Sequence, residues 1–508
     1  MSENNSNKIK PCLVQTAQGF TVSYSDKFLY SKYNPSRAIL QIIEKLELQP
    51  QTVILCVSPV LNYGLKELSQ KLPPDCLMLG CELDESLYDF IQENQANPQV
   101  DFSGIDNYSF INKEQLYNLG PWLVKQKSGS YRRIIRLDFS AAAQLNSALY
   151  DRVIENATNA LMTYWANRVT LVKFGRRYST NFFKNLSVLD KTLPIQNFFG
   201  KVEKTILIFG AGESAQQGIE RVKSTSRNDY YILCADTALQ PLLANQITPD
   251  GVFIEEAQNI ISKCFIGTQT SDIHIFAGLS SIHSITRFFK PEQISFFTTE
   301  YTQAAFIDRF EKAGILPPKN QPFGSVGITT WYYANLFRKN ESIPLYSYGL
   351  DFAYSAGRTH TKGTMADNAR FQNSNRIKKD TNFAAAFCEP AIKCGGMYTT
   401  PIMQRYKLLF DDLSLSDKTL SKKDCRVKPD NDITTFLSQE TTALEELKSL
   451  LTGEKQLPAD QLEKEITKLA GEREYLFLHF PDGHRFAYTQ SFLNRIRVEV
   501  DYFLKIMR

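Results

Sequence analysis

The stretch that most constrains this chain is residues 205–218, TILIFGAGESAQQG. The apolar run Ile206 to Phe209 leads directly into Gly210-Ala211-Gly212, and a polar, helix-compatible segment follows. This order predicts a buried parallel strand, a tight glycine turn and a helix with an open N-terminus. The backbone N–H groups and the positive end of the helix dipole at such a turn suit a phosphate group.

The glycine turn differs from two common nucleotide-binding motifs. It is not GxGxxG, because Ala215 stands where the third glycine would be. It also lacks the Lys-Ser/Thr pair of a phosphate-binding P-loop. These differences argue against an ordinary NAD enzyme and against a P-loop kinase.

Length and composition indicate a globular protein. The chain of 508 residues predicts about three domains. A formal charge of +4 does not favour nucleic-acid binding, and nine scattered cysteines are typical of reduced thiols in a cytoplasmic protein. The polar N-terminus does not resemble a signal peptide, and no apolar run is long enough to span a membrane. We therefore expect a cytoplasmic protein without a membrane span.

Residues 1–115 predict a small N-terminal Rossmann-like α/β domain. The strand TVILCVSP is followed by a helix and then by the strand CLMLGC, which ends in Glu82 and Asp84. An acid at this place can hold a ribose hydroxyl, but the first turn, Ser58 to Gly64, has one glycine and a proline instead of a glycine-rich loop. The pattern favours a structural or docking role without a cofactor.

Residues 116–200 predict a mainly helical connector. Its basic residues cluster near its C-terminal end, and they are Arg168, Lys173, Arg176, Arg177 and Lys184. Such a run is usually a solvated helix face. The alternative is a surface for an anionic sugar nucleotide or an acidic partner.

Residues 201–413 alternate apolar runs with predicted helices of about ten to fifteen residues, which indicates βαβ units and a parallel sheet. The runs are TILIFG, YYILCAD, DGVFIEE, DIHIFAG, QISFFTTE and IPLYSYGLDF. Ligands of such sheets bind at the carboxyl ends of the strands. Asp236, Thr237 and Glu256 follow two of these strands and are therefore candidate substrate-binding residues.

A second small-residue turn narrows the prediction. Gly324-Ser325-Val326-Gly327 opens a helix, and the next strand ends in GLDFAY with Asp351 and Tyr354. Two helix N-termini and an acid-ended strand are thus expected to meet at one edge of the sheet. The polar segment after Tyr354 has the composition of an active-site lid. Residues 414–508 predict a helical C-terminal domain.

The ordered motifs of this chain resemble the motility-associated factor (Maf) family of flagellin glycosyltransferases. These motifs are GRRYSTNFFKNL, FGAGESA, CADTALQPLL, ITPDGVF, FGSVGITT, YGLDFAYSAGRTH and KCGGMYTTPIMQRY. The N-terminal segments SKYNPSRAI, CVSPVLNYGLKEL and GCELDESLYDFI resemble the family's N-terminal domain. The central domain of the family is similar to the hydroxymethylpterin diphosphokinase (MptE)-like domain and is related in plan to bacterial sialyltransferases. The family continues its glycine motif with Pro-Ser-Leu, whereas this chain has Glu213-Ser214-Ala215.

The resemblance implies inverting transfer of a pseudaminic- or legionaminic-type nonulosonic acid from its CMP-activated form to Ser or Thr of flagellin, in support of motility. The donor is a substrate, so no cofactor is expected, and the absence of a DxD pair at the strand ends predicts metal-independent chemistry. The expected catalytic residues are His360, Asp351 and Tyr354. The expected substrate-binding residues are Gly210, Gly212, Ser214, Asp236, Thr237, Glu256, Gly324, Ser325, Gly327, Arg358 and Lys362.

Each group has an expected role. The two glycine turns supply backbone N–H groups to phosphate or carboxylate, and Asp236 with Thr237 contacts cytidine or ribose hydroxyls. His360 is the base or the acid, because histidine titrates near working pH. Asp351 is either catalytic or a structural cap. Glu213 is compatible with a neighbouring phosphate only if it points away.

Two alternatives remain open at this stage. One is a pterin pyrophosphokinase, which would need ATP and magnesium. The other is a non-catalytic protein that binds a nucleotide sugar or flagellin through a degenerate site.

Overall fold

A computed structural model describes residues 10–126, 131–268, 272–302, 304–377, 384–387, 390–415 and 432–507. The chain divides into two compact units, Met1–Leu171 and Val172–Arg508. The division into four domains drawn from the sequence stays a prediction.

The first unit is an α/β unit with a short antiparallel sheet at its N-terminus. Its strands are β1 Cys12–Thr16, β2 Gly19–Tyr24, β3 Lys27–Phe28, β4 Thr52–Val57, β5 Leu77–Cys81, β6 Tyr108–Ile111 and β7 Arg133–Asp138. Its helices are α1 Arg37–Lys45, α2 Leu65–Lys71, α3 Glu85–Glu93, α4 Lys113–Tyr117, α5 Leu119–Gln126 and the start of α6 Ser147–Leu186.

Strands β4 to β7 form a parallel sheet in the order β6-β5-β4-β7. All side chains of β4 are buried, as expected for the central strand of a sheet covered on both faces. The edge strand β7 lies within residues 116–200, which were predicted to be mainly helical. Tyr150, Val153, Ala157 and Leu161 of α6 recur at helical spacing and pack onto the core of this unit.

The second unit contains a larger parallel sheet and the remaining helices. Its strands are β8 Thr205–Phe209, β9 Tyr230–Ala235, β10 Gly251–Ile254, β11 His274–Gly278, β12 Ile294–Thr299, β13 Lys319–Asn320, β14 Leu345–Tyr348, β15 Ile392–Cys394 and β16 Met397–Thr399. Its helices are α7 Ala215–Ser224, α8 Leu239–Ala244, α9 Ala305–Lys312, α10 Val326–Phe337, α11 Met365–Asn373, α12 Ala384–Phe387, α13 Pro401–Leu415, α14 Ile433–Thr452, α15 Ala459–Gly471 and α16 Gln490–Met507.

The large sheet runs in the order β13-β12-β11-β10-β9-β8-β14, and every neighbouring pair is parallel. All six apolar runs identified in the sequence are strands of this sheet, which confirms the predicted α/β class. Successive strands from β8 to β13 lie progressively farther from β8 in one direction. The last strand, β14, pairs with β8 on its other side. The strand order therefore reverses between β8 and β14, which is where open α/β sheets bind ligands.

The crossovers differ from the prediction in length and type. Between β10 and β11 lies the 3-10 segment Asn259–Phe265, and between β11 and β12 lie only short 3-10 turns. The prediction of ten- to fifteen-residue helices is wrong for these two crossovers. The segment SSIHSIT in the second of these crossovers is rich in Ser, Thr and Ile residues, which disfavour a long α-helix.

Helix α10 is buried on nearly all sides, from Gly327 to Phe337. It packs against β8, β9 and β10, and its Tyr333 ring stacks on the Phe253 ring at 5.6 Å between centroids. A helix that is apolar all round belongs in a protein interior. The helix that opens with the second small-residue turn is therefore held firmly against the central strands.

The described C-terminal elements are helical, as predicted. Glu440 of α14 is 1% exposed and accepts hydrogen bonds from Arg309 of α9, from Arg473 and from the Tyr475 hydroxyl. Burial alone would raise the pKa of Glu440, but the hydrogen bonds and charges of the two arginines outweigh burial and lower it. This buried cluster joins α9, α14 and the segment after α15.

No helix among the described residues is long and apolar enough to cross a membrane. Seven cysteines in the part of the chain that the structure describes are free thiols, five of them buried.

Candidate functional site

The first glycine turn lies where the strand order reverses. The Gly210 N–H donates to the Tyr348 carbonyl at 2.7 Å, and the Gly212 N–H donates to the Gly349 carbonyl at 2.9 Å. A Cβ atom at Gly210 would lie 2.3 Å from the Gly349 oxygen. The two strand ends thus approach each other so closely that position 210 admits only glycine.

Asp351 occupies the N-terminus of α7. Its carboxylate accepts a hydrogen bond from the Ser214 N–H at 2.9 Å and a second, short one from the Ser214 hydroxyl. A carboxylate is favourable there because of the helix dipole. The position predicted for phosphate at this turn is therefore filled by an internal anion, and a bound anion would have to displace Asp351.

Glu213 points away from that helix N-terminus. Its carboxylate accepts hydrogen bonds from the Ser355 N–H at 2.8 Å and from the Ser355 hydroxyl at 3.0 Å. Glu213 therefore anchors the segment that follows β14.

The second glycine turn leaves a helix N-terminus open. Ser325 is the N-cap of α10, but its side chain makes no capping hydrogen bond. The first N–H groups of an α-helix have no intrahelical acceptor, so those of Val326 and Gly327 are available to an anion. A Cβ atom at Gly327 would lie 2.2 Å from Leu350 Cδ2, and one at Gly210 would lie 2.6 Å from the same atom. The two turns thus meet across the Leu350 side chain, as predicted.

Asp236, at the end of β9, is a buried acid, and one of its two carboxylate oxygens is not hydrogen-bonded within the described residues. Its Oδ1 accepts from the Thr237 N–H at 2.6 Å, and its Oδ2 has no partner among the described residues. Burial raises the pKa of Asp236 to about 7, and the nearby charges of Glu256 and Glu255 act in the same direction. A buried oxygen without a partner can accept a hydrogen bond from a ligand hydroxyl, or donate one when protonated.

Glu255 was not among the predicted site residues, whereas the neighbouring Glu256 was. Glu255 accepts hydrogen bonds from the Thr299 hydroxyl at 2.5 Å and from the Thr329 hydroxyl at 2.7 Å. It thereby ties the end of β10 to the first turns of α10. The available signal was Thr329, which lies four residues after Ser325 and so faces the same side of the helix.

Glu256 turns toward its own loop, because its carboxylate accepts from the Gln258 N–H at 2.8 Å. Thr237 donates its N–H to the Asp236 carboxylate and lies within the 3-10 turn Asp236–Ala238. Both residues lie at the predicted edge of the sheet.

The predicted lid segment is docked onto the glycine turn. The Thr361 N–H donates to the Ala211 carbonyl at 2.8 Å, and the Thr361 side chain is buried. His360 contacts the Thr359 hydroxyl through Nδ1 at 3.0 Å. Burial lowers the pKa of His360, and the charge of Arg370 lowers it further against an opposing effect of Asp367. The imidazole is therefore neutral near pH 7.

The remaining predicted residues differ in accessibility. Arg358 and Lys362 are exposed on the docked segment. Tyr354 is buried, and its hydroxyl donates to the Ala385 carbonyl at 2.6 Å. The phenol of Tyr354 is thus already engaged, whereas the two cations are available.

The first unit has an equivalent acid at the end of its own second strand. Glu82 follows β5 as Asp236 follows β9, burial raises its pKa to about 7, and its Oε2 likewise has no partner among the described residues. Its Oε1, however, accepts from the Tyr150 hydroxyl at 3.2 Å, and Ser58 and Val60 of the adjoining turn are fully buried. The first sheet therefore ends in packed side chains rather than beside an open helix end.

Among the described residues, no group of three or more His, Cys, Asp or Glu side chains is arranged to hold a metal ion.

Comparison with known proteins supports the central part of this description. Residues 180–357 match the model of the family described as 6-hydroxymethylpterin diphosphokinase MptE-like. This range runs from the end of α6 to the start of the docked segment and contains both glycine turns. The central part of the chain is thus similar to an MptE-like domain.

Two full-length comparisons extend beyond that domain. An uncharacterized protein of Treponema pallidum (strain Nichols) is 28% identical over 567 aligned positions, which cover 98% of this chain and 95% of that protein. The solved structure of a Maf glycosyltransferase from Magnetospirillum magneticum AMB-1 superposes with a TM-score of 0.53 at 12% identity, covering 99% of this chain and 92% of that one. The chain therefore has the Maf glycosyltransferase fold, and the resemblance drawn from the sequence is confirmed at this level.

Proposed function

We propose that this protein is a glycosyltransferase that uses a nucleotide-activated sugar. The observation that carries the proposal is the open N-terminus of α10 beside the reversal of strand order, with the half-paired carboxyl group of Asp236 at the end of β9. An anion-binding helix end and a buried oxygen that can pair with a hydroxyl suit the two parts of a nucleotide sugar. The Maf-type fold supports the same class of activity.

More narrowly, we propose that the donor is a CMP-activated nonulosonic acid and the acceptor a Ser or Thr hydroxyl of flagellin. Such a donor carries a phosphodiester and a carboxylate. The N–H groups of Val326 and Gly327, with the exposed cations Arg358 and Lys362, are the groups suited to these anions. The motif resemblance to flagellin glycosyltransferases supports the choice of acceptor.

In the proposed inverting reaction, the acceptor oxygen attacks the anomeric carbon while the bond from that carbon to the phosphate oxygen breaks. The CMP phosphate leaves with the bonding electrons. Neutral His360 is the proposed base that takes the hydroxyl proton. Backbone N–H groups and the lid cations stabilise the leaving phosphate without a metal ion or a cofactor.

Asp351 has a positional role in this proposal. As long as it accepts from Ser214, it holds the glycine turn against the strand end of β14. Tyr354 supports the lid through Ala385. We therefore assign substrate contact to the α10 turn, Asp236, His360 and the lid cations, and positioning to Asp351 and Tyr354.

A pterin pyrophosphokinase is the second candidate, and the name of the matching family model favours it. This reaction would use ATP and magnesium, and Asp236 after β9 and Glu255 after β10 are the acids at adjacent strand ends. A non-catalytic binding protein is the third candidate.

A thermal-shift series separates the three candidates. The full chain is measured with CMP, CDP, ATP with magnesium, and buffer alone. The proposal expects stabilisation by CMP, and Asp236→Asn should remove it. Stabilisation by ATP with magnesium but not by CMP would support the pyrophosphokinase. No stabilisation by any of the nucleotides would support a non-catalytic protein that has lost the donor site.

Intact-mass analysis tests the acceptor. Flagellin is co-expressed with this protein and with the enzymes that make the CMP-sugar, and its mass is compared with that of flagellin expressed alone. The proposal expects added sugar masses, which His360→Ala should abolish without lowering the melting temperature. Unmodified flagellin despite CMP binding would contradict the choice of acceptor.

A further inference from the structure

Helix α6 carries an uncharged stripe on its solvent-exposed side. Met162, Ala166 and Val169 are exposed apolar residues, with Met162 64% and Val169 70% accessible, and the exposed amide Asn159 precedes them on the same line. Their spacing of three, four and three residues is that of the a and d positions of a coiled coil. Solvated helix faces usually carry charges, yet residues 156–167, NATNALMTYWAN, contain none. The stripe is therefore built like a contact face.

The stripe matches itself when α6 is reversed. In an antiparallel pair centred on residue 164, Met162 lies opposite Ala166 of the other copy, and Asn159 lies opposite Val169. The central layers then place a large side chain against a small one, which lets two helices approach closely. The same register holds in both directions, as a two-fold symmetric contact requires.

Charge complementarity supports this register. Glu155 and Lys173 are the next positions of the same stripe, one at each end, and both are exposed. In the reversed pair Glu155 of one copy lies opposite Lys173 of the other. Two symmetric Glu–Lys pairs therefore flank the uncharged layers, one at each end. A shift by one heptad in either direction would instead place Glu155 against Ala166 or Lys173 against Met162, which leaves a charge facing an apolar residue.

Asn159 fits the same arrangement. A single asparagine in an otherwise apolar seam lowers stability but restricts the register. In the reversed pair Asn159 lies in the layer next to Glu155 and the Lys173 of the second copy, at the polar end of the seam. The amide can therefore hydrogen-bond to the charged layer while Met162 and Ala166 form the centre.

The stripe ends beyond Lys173. Arg176, the next position along it, forms an ion pair with Glu499 at 2.9 Å and stacks on the Tyr502 ring. The helix surface is thus covered from within the chain at this point. In the C-terminal direction, the exposed stripe therefore ends at Lys173.

We propose that α6 is a self-association surface, on which a second copy of this chain docks its own α6 antiparallel through Glu155, Asn159, Met162, Ala166, Val169 and Lys173. A parallel pair would place Glu155 against Glu155 and Lys173 against Lys173, which is repulsive. An unrelated partner would not need the register to be self-complementary.

The test is the mass of the full chain in solution by sedimentation or light scattering over a concentration series. The proposal expects a concentration-dependent rise toward twice the chain mass. Met162→Glu should abolish the rise, whereas Asn167→Glu, an exposed change on α6 that lies off the stripe, should leave it intact. A wild-type chain that stays monomeric up to about 100 µM would overturn the proposal, because a stable interface associates below that concentration.

Charge reversal tests the register independently of folding. Glu155→Lys and Lys173→Glu should each weaken association about tenfold, because each creates two like-charge pairs in the dimer. The double variant should restore association, and an equimolar mixture of the two single variants should form heterodimers. Association that is unaffected by the single changes, or not restored in the double variant, would contradict the antiparallel register.

Discussion

At the scale of single residues, the site depends on what burial does to polar groups. Asp236 has one oxygen paired with the Thr237 N–H and one without a partner among the described residues, although the side chain is 3% exposed. A folded protein tolerates such a group at a cost in stability, and such costs concentrate at functional sites. The unpaired oxygen, at the same sheet edge as an open helix end, therefore favours a ligand contact.

Asp236 should make stability depend on pH. Its folded-state pKa of about 7 lies above its ordinary value of 3.8, so the folded chain retains a proton that the unfolded chain releases in this range. The protonated carboxyl group makes its whole contribution to the free energy of unfolding below pH 4. This contribution, at most about 4 kcal/mol, is lost as pH rises to 7. Asp236→Asn should thus melt at a higher temperature than wild type at pH 8, with the difference shrinking toward pH 4. A difference that is constant with pH would contradict this assignment.

The glycine at the strand reversal should be irreplaceable. Gly210→Ala places a Cβ atom 2.3 Å from the Gly349 oxygen, and we expect a loss of about 1–3 kcal/mol in unfolding free energy by chemical denaturation. Gly278→Ala is the matched control, because it ends β11 and its Cβ atom would meet nothing closer than 3.6 Å. Equal losses for the two variants would show that close approach is not the cause.

At the scale of secondary-structure elements, helix ends and buried charges hold the second unit together. α7 is capped from a distant segment by Asp351, and α10 is left uncapped. The two helices therefore differ in what they offer an anion, although both follow turns of small residues. This difference explains why we place the proposed phosphate contact at α10.

Removing the distant cap should weaken α7. Asp351→Ala deletes the acceptor of two Ser214 hydrogen bonds, and we expect a loss of about 1–2 kcal/mol in unfolding free energy. Asp351→Asn should lose less, because it keeps an acceptor oxygen. If Asp351 were instead a residue that acts only in the reaction, both variants would melt like wild type.

The buried cluster around Glu440 should be far more sensitive than a surface ion pair. Glu440→Ala leaves Arg309 and Arg473 with uncompensated buried charge, so we expect a loss of about 3–5 kcal/mol. Asp411→Ala removes the exposed partner of Lys407 four residues away on α13 and should cost under about 0.5 kcal/mol. Comparable losses would mean that the cluster is not the main link between α9 and α14.

At the scale of the whole molecule, the chain contains two parallel sheets with the same reversal of strand order. The first has β7 beside β4, and the second has β14 beside β8. Both place a buried acid after the second strand, Glu82 in the first sheet and Asp236 in the second, and one oxygen of each has no partner in the part of the chain that the structure describes. They differ in their surroundings, because the Tyr150 hydroxyl binds Glu82, whereas Asp236 belongs to the sheet that carries the open N-terminus of α10.

The two acids should therefore differ in their effect on ligand binding. Asp236→Asn is expected to abolish the thermal shift produced by CMP, and Glu82→Gln, its counterpart in the first sheet, is expected to leave that shift unchanged. Binding measured by calorimetry would separate loss of affinity from loss of stability. A loss of CMP binding in Glu82→Gln alone would move the nucleotide site to the first sheet.

The sequence by itself determined the elements and their order. Apolar runs that end in glycine or acid indicated the strands β8 to β12, because a strand buried on both faces has no polar alternation. Self-complementary positions on α6 are also a property of the sequence. The lengths of the crossovers were not determined this way, since Ser- and Thr-rich segments can form turns or helices according to what they pack against.

Only the tertiary structure decided what each polar group contacts. The motif GAGES predicted an anion at the start of α7. In the structure Asp351, 137 residues after Ser214, lies there, and Glu213 contacts Ser355 instead. Such contacts depend on which segments meet, which local propensity does not encode. The first glycine turn is therefore a closed junction between β8 and β14, and the open helix end belongs to α10.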